Sequence, residues 1–240
     1  MKQENNYFWI GGKNTVIEVI KNNKREIKKI LLNKNNSKTL PKNDIPFKIS
    51  STSEIDNIFN DKDFVHQGIA ALVKKTQTFK DNHIKNIKKN ENVIILDNIY
   101  DPRNIGSIIR SAVAFEIRYI ILEKTVNINS HYLFKSASGA TENIEFIKLS
   151  NLNNAITLLK KNNFYVYTSS LQAKKNLEDI NFHTNNCIIL GSESRGVKKL
   201  LLKNSDETFK INQSKNIESL NVSNSAAIIL NHIYQKKRAW

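Results

Sequence analysis

The chain has 240 residues, 37 basic and 22 acidic side chains, a formal net charge of +15 and a single cysteine. One cysteine excludes a disulfide framework and any metal site built from several thiolates, and no apolar run approaches the roughly 18 residues of a membrane helix. Without a secretory or transit pattern at its start, the chain is expected to be cytoplasmic, and its excess positive charge favours a polyanionic partner, either nucleic acid or an anionic membrane surface.

The first 75 residues predict a small α/β domain. Hydrophobic periodicity indicates one amphipathic helix followed by three short strands, at 14–24, 29–32, 47–50 and 68–73 respectively. Ser53 is placed to cap a further short helix that ends at Phe59, with Asp56 at the acidic position of a capping box. Residues 76–90 are polar and basic without a sustained apolar face, so we interpret them as a linker that is partly helical.

Residues 91–240 predict a second, larger α/β domain. Apolar runs typical of buried strands occur at 93–97, 119–122, 144–147, 164–168, 187–190 and 208–211, and helical patterns occur at 104–115, 150–162 and 218–235. Strands that are apolar throughout belong to a parallel sheet covered on both faces. The chain has no G-x-G-x-x-G, Walker A, G-x-S-x-G or H-x-x-x-H pattern, which argues against dinucleotide, P-loop, serine-hydrolase and zinc-protease sites.

The first candidate motif runs from Asn98 to Ala112, NIYDPRNIGSIIRSA. It leaves a strand through a polar loop and enters a helix that Asn104 is placed to cap. Arg103 and Arg110 are seven residues apart and share a helix face. A helix N-terminus with a nearby arginine suits a phosphate group, although an ordinary amphipathic helix would show the same pattern.

The second motif, Ile188 to Val197, reads IILGSESRGV. An apolar strand ends at Gly191, and Glu193, Arg195 and Gly196 follow at once. Ligands bind at the carboxyl ends of strands in open α/β sheets, and glycine allows a close backbone approach. A plain strand-to-helix turn is the equally simple alternative.

The third motif, Glu218 to Ala227, reads ESLNVSNSAA. Ser219, Asn221 and Ser223 alternate with apolar residues before a helix. Short polar residues at such a position cap helices, but three within five residues exceed what one cap needs. They predict either a polar ligand or a fixed loop.

The three motifs resemble, in order and spacing, those of the SpoU/TrmH family of RNA ribose 2'-O-methyltransferases, in the SPOUT superfamily. The matching patterns are N-x-G-x-x-x-R-S-A, G-S-E-x-x-G and S-L-N-V-S. The amino-terminal part, at 7–12 and 65–69, is similar to the ribosomal-protein-like RNA-binding domain of bacterial members that act on rRNA. The resemblance therefore covers nearly the whole chain.

This resemblance implies a parallel sheet with a deep carboxy-terminal trefoil knot, a rare feature in proteins, and a homodimer in which the partner completes each site. It implies S-adenosylmethionine as cofactor, contacted at Gly191, Ile211 and Leu220, with Thr168 and Gly196 nearby. Because the cofactor itself supplies the electrophile, no metal is expected. The implied substrate is a ribose 2'-OH of RNA, most closely a guanosine of 23S rRNA.

The resemblance also makes Arg110 the essential arginine. A ribose 2'-OH is a poor nucleophile that must be placed in line with the methyl group and stabilised as negative charge develops. Because a guanidinium stays charged in proteins, we interpret Arg110 as a clamp on the RNA phosphate and the developing alkoxide rather than a general base. Asn104 and Glu193 would orient Arg110, and Ser219 and Asn221 would position the ribose or the arginine.

Two other functions are open to the sequence. Ribose methylation of tRNA fits the same motifs, although the separate amino-terminal domain argues against it. An RNA-binding or ribosome-assembly factor of the same fold would have no need for the four polar residues Asn104, Arg110, Glu193 and Asn221.

The distribution of charge also favours RNA. The first 90 residues contain 18 basic and 9 acidic side chains, whereas the remaining 150 contain 19 and 13. The higher density of positive charge therefore lies in the predicted docking domain and linker, where attraction to phosphates would be used. Three of the six arginines fall in the first two motifs.

Overall fold

The computed structural model describes residues 6–41 and 44–238, so Trp240, to which the sequence assigns no role, lies outside the described residues. The chain forms two compact units. The first contains the chain up to Thr76 together with 105–110 and 127–142. The second contains 77–104, 111–126 and the chain from 143 onward.

The helices are α1 (Lys13–Asn22), α2 (Thr52–Phe59), α3 (Pro102–Ala114), α4 (His131–Ala137), α5 (Leu152–Lys161), α6 (Lys199–Asn204) and α7 (Val222–Arg238). The strands are β1 (Tyr7–Gly11), β2 (Ile27–Leu32), β3 (Phe47–Ile49), β4 (Ile69–Lys74), β5 (Thr78–Phe79), β6 (Asn92–Asp97), β7 (Tyr119–Glu123), β8 (Glu145–Leu149), β9 (Tyr165–Ser169), β10 (Lys175–Asn176), β11 (Asn186–Gly191) and β12 (Glu207–Lys210). None of the helices in the described ranges is both long and apolar enough to cross a membrane.

The first unit is built on a four-stranded sheet in the order β1-β4-β2-β3. β4 is antiparallel to both β1 and β2, while β3 is parallel to β2. Helix α2 buries Ile55 and Phe59 in a cluster with Leu31 and Phe64. The apolar spacing of that helix therefore supplies part of this core.

The cap of α2 differs from the prediction. Ser51, not Ser53, is the N-cap residue, and its Oγ accepts a hydrogen bond from the Glu54 backbone N–H at 3.1 Å. Glu54 Oε2 accepts from the Ser51 N–H at 2.8 Å, which completes a capping box. The prediction was wrong by two residues because it did not use the glutamate, the preferred residue three positions after the cap. Asp56 instead contacts His66 Nε2 at 2.7 Å.

A buried ion pair secures the 127–142 segment within the first unit. Arg25 Nε donates to both carboxylate oxygens of Glu142, at 3.0 and 3.1 Å, and both side chains are almost fully buried. Arg25 Nη1 also donates to the carbonyl of Lys74 at 2.7 Å. Because the charges and donors are satisfied together, the pair tolerates its burial.

Close packing inside the same unit explains the small residue early in α3. A Cβ placed on Gly106 would lie 2.4 Å from the carbonyl oxygen of Leu133 and 2.7 Å from Ser136 Cβ. Helix α4 therefore approaches α3 at a distance that only glycine allows.

The second unit contains an eight-stranded parallel sheet, in the order β10-β12-β9-β11-β6-β7-β8-β5. Every residue of β6 is buried, as the apolar runs predict. The α/β class with a parallel sheet is confirmed. Since all strands run the same way, their carboxyl ends form one edge of the sheet.

The stretch 76–90, which the sequence predicts to be a partly helical linker, contains regular structure that packs in the second unit. It contributes strand β5, which pairs with β8, and a 3₁₀ turn at Asp81–Asn86. Ile84 is fully buried and Ile87 nearly so, both in the core of the second unit. Two isoleucines three residues apart form an apolar face that is too short to produce a periodic pattern in the sequence.

Candidate active site

A cleft of about 380 Å³ opens in the second unit at the carboxyl ends of β9, β11 and β12. Four of the five residues predicted to contact a cofactor line it: Gly191, Gly196, Ile211 and Leu220. The fifth, Thr168, is fully buried and its hydroxyl lies 2.5 Å from Ser205 Oγ. The next two residues of that chain segment, Ser169 and Ser170, form the wall instead. The cleft has the size of a small-molecule site.

Gly191 shapes the cleft by letting two backbone segments meet. It is the last residue of β11, and a Cβ there would lie 2.3 Å from the Gly196 carbonyl carbon and 2.4 Å from the Val197 nitrogen. The loop closes on itself through a 2.8 Å hydrogen bond from the Gly196 N–H to the Ser192 carbonyl. Only glycine fits at position 191 without moving this loop.

The third motif folds against the other two through Asn221. Its Nδ2 donates to Glu193 Oε1 at 2.7 Å and to Asn104 Oδ1 at 3.1 Å. Glu193 Oε1 also accepts from the Val222 N–H at 3.1 Å. One amide thus joins a residue from each motif, although the three lie far apart in sequence.

The side-chain oxygen of Asn221 also accepts hydrogen bonds. Asn221 Oδ1 accepts from the Ser223 N–H at 2.9 Å and from Ser223 Oγ at 2.5 Å. These bonds fix which end of the amide faces Glu193 and Asn104. Ser219 lines the 380 Å³ cleft and lies two residues before Asn221.

Asn104 does not cap α3, contrary to the prediction. Asp101 is the N-cap residue, and its carboxylate accepts from the Arg103 N–H at 2.8 Å. Pro102 takes the first helical position, where its missing N–H costs nothing. The cap therefore lies three residues earlier, which frees the Asn104 side chain to reach Asn221.

Arg110 lies on α3, two turns after Asn104, with an exposed side chain. The buried face of the helix consists of Ile105, Gly106, Ile108, Ile109 and Ala112. Arg103, Ser107 and Arg110, at spacings of four and three, lie along the opposite face. The helix thus presents two guanidinium groups on one polar stripe.

A charged network at the same edge of the sheet was missed by the sequence analysis. Asp97, at the end of β6, is fully buried, and its Oδ2 accepts from the Lys198 N–H at 2.8 Å. Lys198 Nζ donates to Glu123 Oε1 at 2.6 Å, and Tyr100 OH donates to Glu123 Oε2 at 2.5 Å. These contacts anchor the end of the loop that begins at Gly191. Lone charged residues after strands carry no distinctive spacing, so the sequence gives no signal for them.

The network predicts acid-dependent stability. Burial alone would raise the pKa of the Glu123 carboxyl, but the hydrogen bonds from Lys198 and Tyr100 outweigh it and hold that pKa below the ordinary 4.5. A lowered carboxyl pKa stabilises the fold above pH 4.5, and this contribution is lost as pH falls through the lowered value. We expect Glu123→Gln to remove about 1 kcal/mol of unfolding free energy at pH 7 and little at pH 3. Urea unfolding at both pH values measures this.

A matched variant, Glu116→Gln, makes the same change of charge at an exposed position. It should keep the full wild-type difference in unfolding free energy between the two pH values. If Glu123→Gln shows the wild-type acid dependence instead, the network does not hold the loop.

Family models match both parts of the chain. The model described as "SpoU rRNA Methylase family" matches residues 91–231. The model described as "RNA 2'-O ribose methyltransferase substrate binding" matches residues 9–79. Together they leave only short terminal and connecting segments unmatched.

Relatives and solved structures agree with these matches. An uncharacterized tRNA/rRNA methyltransferase of Borreliella burgdorferi is 38% identical over 197 residues, covering 75% of this chain and 83% of that protein. The 23S rRNA (guanosine-2'-O-)-methyltransferase RlmB of Blochmanniella floridana is 33% identical over 172 residues, covering 69% and 67%. The SpoU methyltransferase AviRb of Streptomyces viridochromogenes, solved with S-adenosylmethionine, matches with a TM-score of 0.82 at 15% identity, covering 99% and 93%.

Proposed function

The chain belongs to the SpoU rRNA methylase family, and we propose that it methylates the ribose 2'-OH of a guanosine in 23S rRNA. The family makes it an S-adenosylmethionine-dependent RNA 2'-O-ribose methyltransferase. The observation that carries the assignment is the single cluster in which Asn221 joins Asn104 and Glu193 beside a glycine-walled cleft. The choice of 23S rRNA follows relatives that bear that name.

The cleft fits the cofactor that the family requires. Its volume of about 380 Å³ and mixed polar and apolar walls suit a nucleoside with an amino-acid tail. Gly191, Gly196, Ile211 and Leu220 would hold it, and the space at Gly191 would be filled by any Cβ. Thr168, directly before the lining residue Ser169, is held by its hydroxyl contact with Ser205 Oγ. When bound, S-adenosylmethionine supplies an electrophilic methyl group, so the mechanism needs no metal.

The chain's own residues would place the hydroxyl and stabilise its developing charge. Arg110 would hold the RNA phosphate and the emerging alkoxide through its fork of N–H donors. Asn221, whose orientation Ser223, Glu193 and Asn104 fix, would position the ribose together with Ser219. Preorganised donors of this kind stabilise a transition state without rearranging during the reaction.

The amino-terminal part of the first unit, residues 1–75, would dock the RNA. The substrate-binding family model matches it at residues 9–79, and the first 90 residues hold +9 of the net charge. We assign residues 1–75 to docking, 76–90 to a connecting segment and 91–240 to catalysis. A ribosomal-protein-like fold for this unit and a cytoplasmic location are parts of the same proposal.

The proposal includes the knot and the dimer. After β11 the chain moves outward to β12, two positions along the sheet, and then returns so that Asn221 contacts Glu193 in the loop that follows β11. A return of this kind supports a trefoil knot, and a crystal structure whose backbone lacks one would refute it. A homodimer would have twice the 27.6 kDa chain mass in light scattering.

Methyl transfer to defined RNAs tests the proposed substrate. The purified chain, radiolabelled S-adenosylmethionine and an unmodified 23S rRNA transcript should give incorporation that approaches one methyl group per RNA. Bulk unmodified tRNA should give none. Preferential labelling of tRNA would replace the rRNA assignment, and absence of S-adenosylmethionine binding at equilibrium would favour a binding-only protein.

A further inference from the structure

A second cleft, of about 520 Å³, opens in the second unit where β5, β7 and β8 end. Its walls are β5, the end of β8, the residues that follow β5, β7 and β8, and the start of α5. Since the sheet is parallel, this cleft lies on the same edge as the cofactor cleft. None of the three sequence motifs contributes to it.

Three lysines from three separate segments line this cleft: Lys80 after β5, Lys124 after β7 and Lys148 in β8. Within the described ranges none of them forms an ion pair with a carboxylate. Asp81 is the one acidic residue among the described residues of the lining, and its carboxylate accepts from the Asn82 N–H at 2.9 Å. The cleft therefore concentrates positive charge.

At Lys148 this charge has no carboxylate counter-ion among the described residues. Its ammonium is partly buried and donates to the Val126 carbonyl at 2.6 Å. Burial lowers the pKa of this ammonium, since a partly desolvated cation is penalised without a nearby anion. An ammonium has three N–H groups and the carbonyl takes one, so an anion in the cleft could accept from the others.

The remaining walls add neutral donors. Ser150, Asn151 and Asn154 line the cleft beside the lysines. Hydroxyl and amide groups together with lysines are the groups that contact RNA phosphates without reading sequence. Of the lining residues that the structure describes, only Phe79 carries an aromatic ring, so the cleft suits a backbone phosphate better than a stacked base.

The separation of the two clefts suits a continuous RNA strand. β11 and β8 are three positions apart in the sheet, or about 14 Å at the usual strand spacing. One strand of duplex DNA advances roughly 3.4 Å per phosphate, and an RNA strand stacked in the same way would cross this span in about four nucleotides. Arg103 lies in the segment that follows β6, and Lys198, in the loop after β11, contacts Asp97 and Glu123 at the ends of β6 and β7.

We propose that the cleft formed by Lys80, Lys124 and Lys148 binds a backbone phosphate of the substrate RNA, about four nucleotides from the methylated ribose. The inference rests on the proposed function, because it assumes that the RNA strand passes beside the cofactor cleft. The site adds affinity without sequence selection and takes no part in the chemistry.

Binding of a mixed-sequence 20-nucleotide single-stranded RNA with a fluorescent label tests the site at several salt concentrations. The double variant Lys124→Gln, Lys148→Gln should bind about tenfold more weakly. The slope of log affinity against log salt should become shallower by about 0.7. Lys161→Gln removes one positive charge at the far end of α5, as Lys124→Gln does in the cleft, and it should match the wild type in both quantities.

Different measurements test the phosphate site and the proposed function. Affinity for S-adenosylmethionine should be the same in all variants, and the methylation rate at saturating RNA should stay within about twofold of the wild type. A double variant with the RNA affinity and salt slope of Lys161→Gln would overturn the site while leaving the function intact. If loss of the Lys148–Val126 contact prevents folding, the single variant Lys124→Gln, at an exposed position, tests the site by itself. Its affinity for the RNA should fall about threefold.

Discussion

Arg110→Lys is expected to lower the rate of methyl transfer to RNA by about 10²- to 10³-fold, although the charge is kept. The guanidinium offers a planar fork of donors that can hold two oxygens at once, whereas an ammonium is a compact point charge. The side chain is exposed on α3, so the substitution leaves the core untouched. Single-turnover rates with 23S rRNA measure the effect.

Two controls separate chemistry from binding. The affinity of Arg110→Lys for S-adenosylmethionine should match that of the wild type, since Arg110 is not among the residues that line the cofactor cleft. Arg103→Lys, on the same helix face, should lower the rate at saturating RNA by less than about fivefold if it contacts phosphate only. A near wild-type rate for Arg110→Lys would remove Arg110 from the catalytic role.

Gly191→Ala is expected to weaken S-adenosylmethionine binding by about 5- to 150-fold. The new Cβ would lie under 2.6 Å from the carbonyl atoms of Gly196 and the nitrogen of Val197, so the loop must shift. Binding would need the loop back in its original position, where the overpacking costs about 1–3 kcal/mol. This cost converts to a roughly 5- to 150-fold loss of affinity. Isothermal titration calorimetry with S-adenosylmethionine measures it directly.

Gly196→Ala is the matched control. It adds the same methyl group, but no atom lies within 4 Å of the new Cβ, and the cost comes only from its φ of +63°. About 1 kcal/mol of backbone strain predicts that the affinity for S-adenosylmethionine falls about fivefold at most. If both variants bind S-adenosylmethionine equally well, the close approach at Gly191 does not shape the cleft.

The sequence predicts the main strands of the second unit from their uninterrupted apolar runs. It predicts the main helices from apolar periodicity that extends over several turns. Each predicted strand from 93–97 to 208–211 matches an observed strand within two residues at either end. Helices α4 and α6, of seven and six residues, were missed because such short segments give little periodicity. Strand β5 and the buried Ile84 were missed for the same reason.

The candidate site was only partly accessible to sequence reasoning. Motif spacing identifies Asn104, Glu193 and Asn221, but only the fold shows that one amide joins them. The cap at Asp101 was misplaced because both asparagine and aspartate suit that position. The Asp97–Lys198–Glu123 network and the lysine cleft depend on neighbouring strands in the sheet, an order that the sequence does not specify.

Mass spectrometry of nucleosides from treated RNA tests the central claim most directly. Complete digestion of 23S rRNA after incubation with the chain and S-adenosylmethionine should yield close to one 2'-O-methylguanosine per RNA. RNA treated with Arg110→Ala should yield none above background. Methyl groups found on a base, or on the ribose of another nucleoside, would contradict the proposal that this site methylates the 2'-OH of a guanosine.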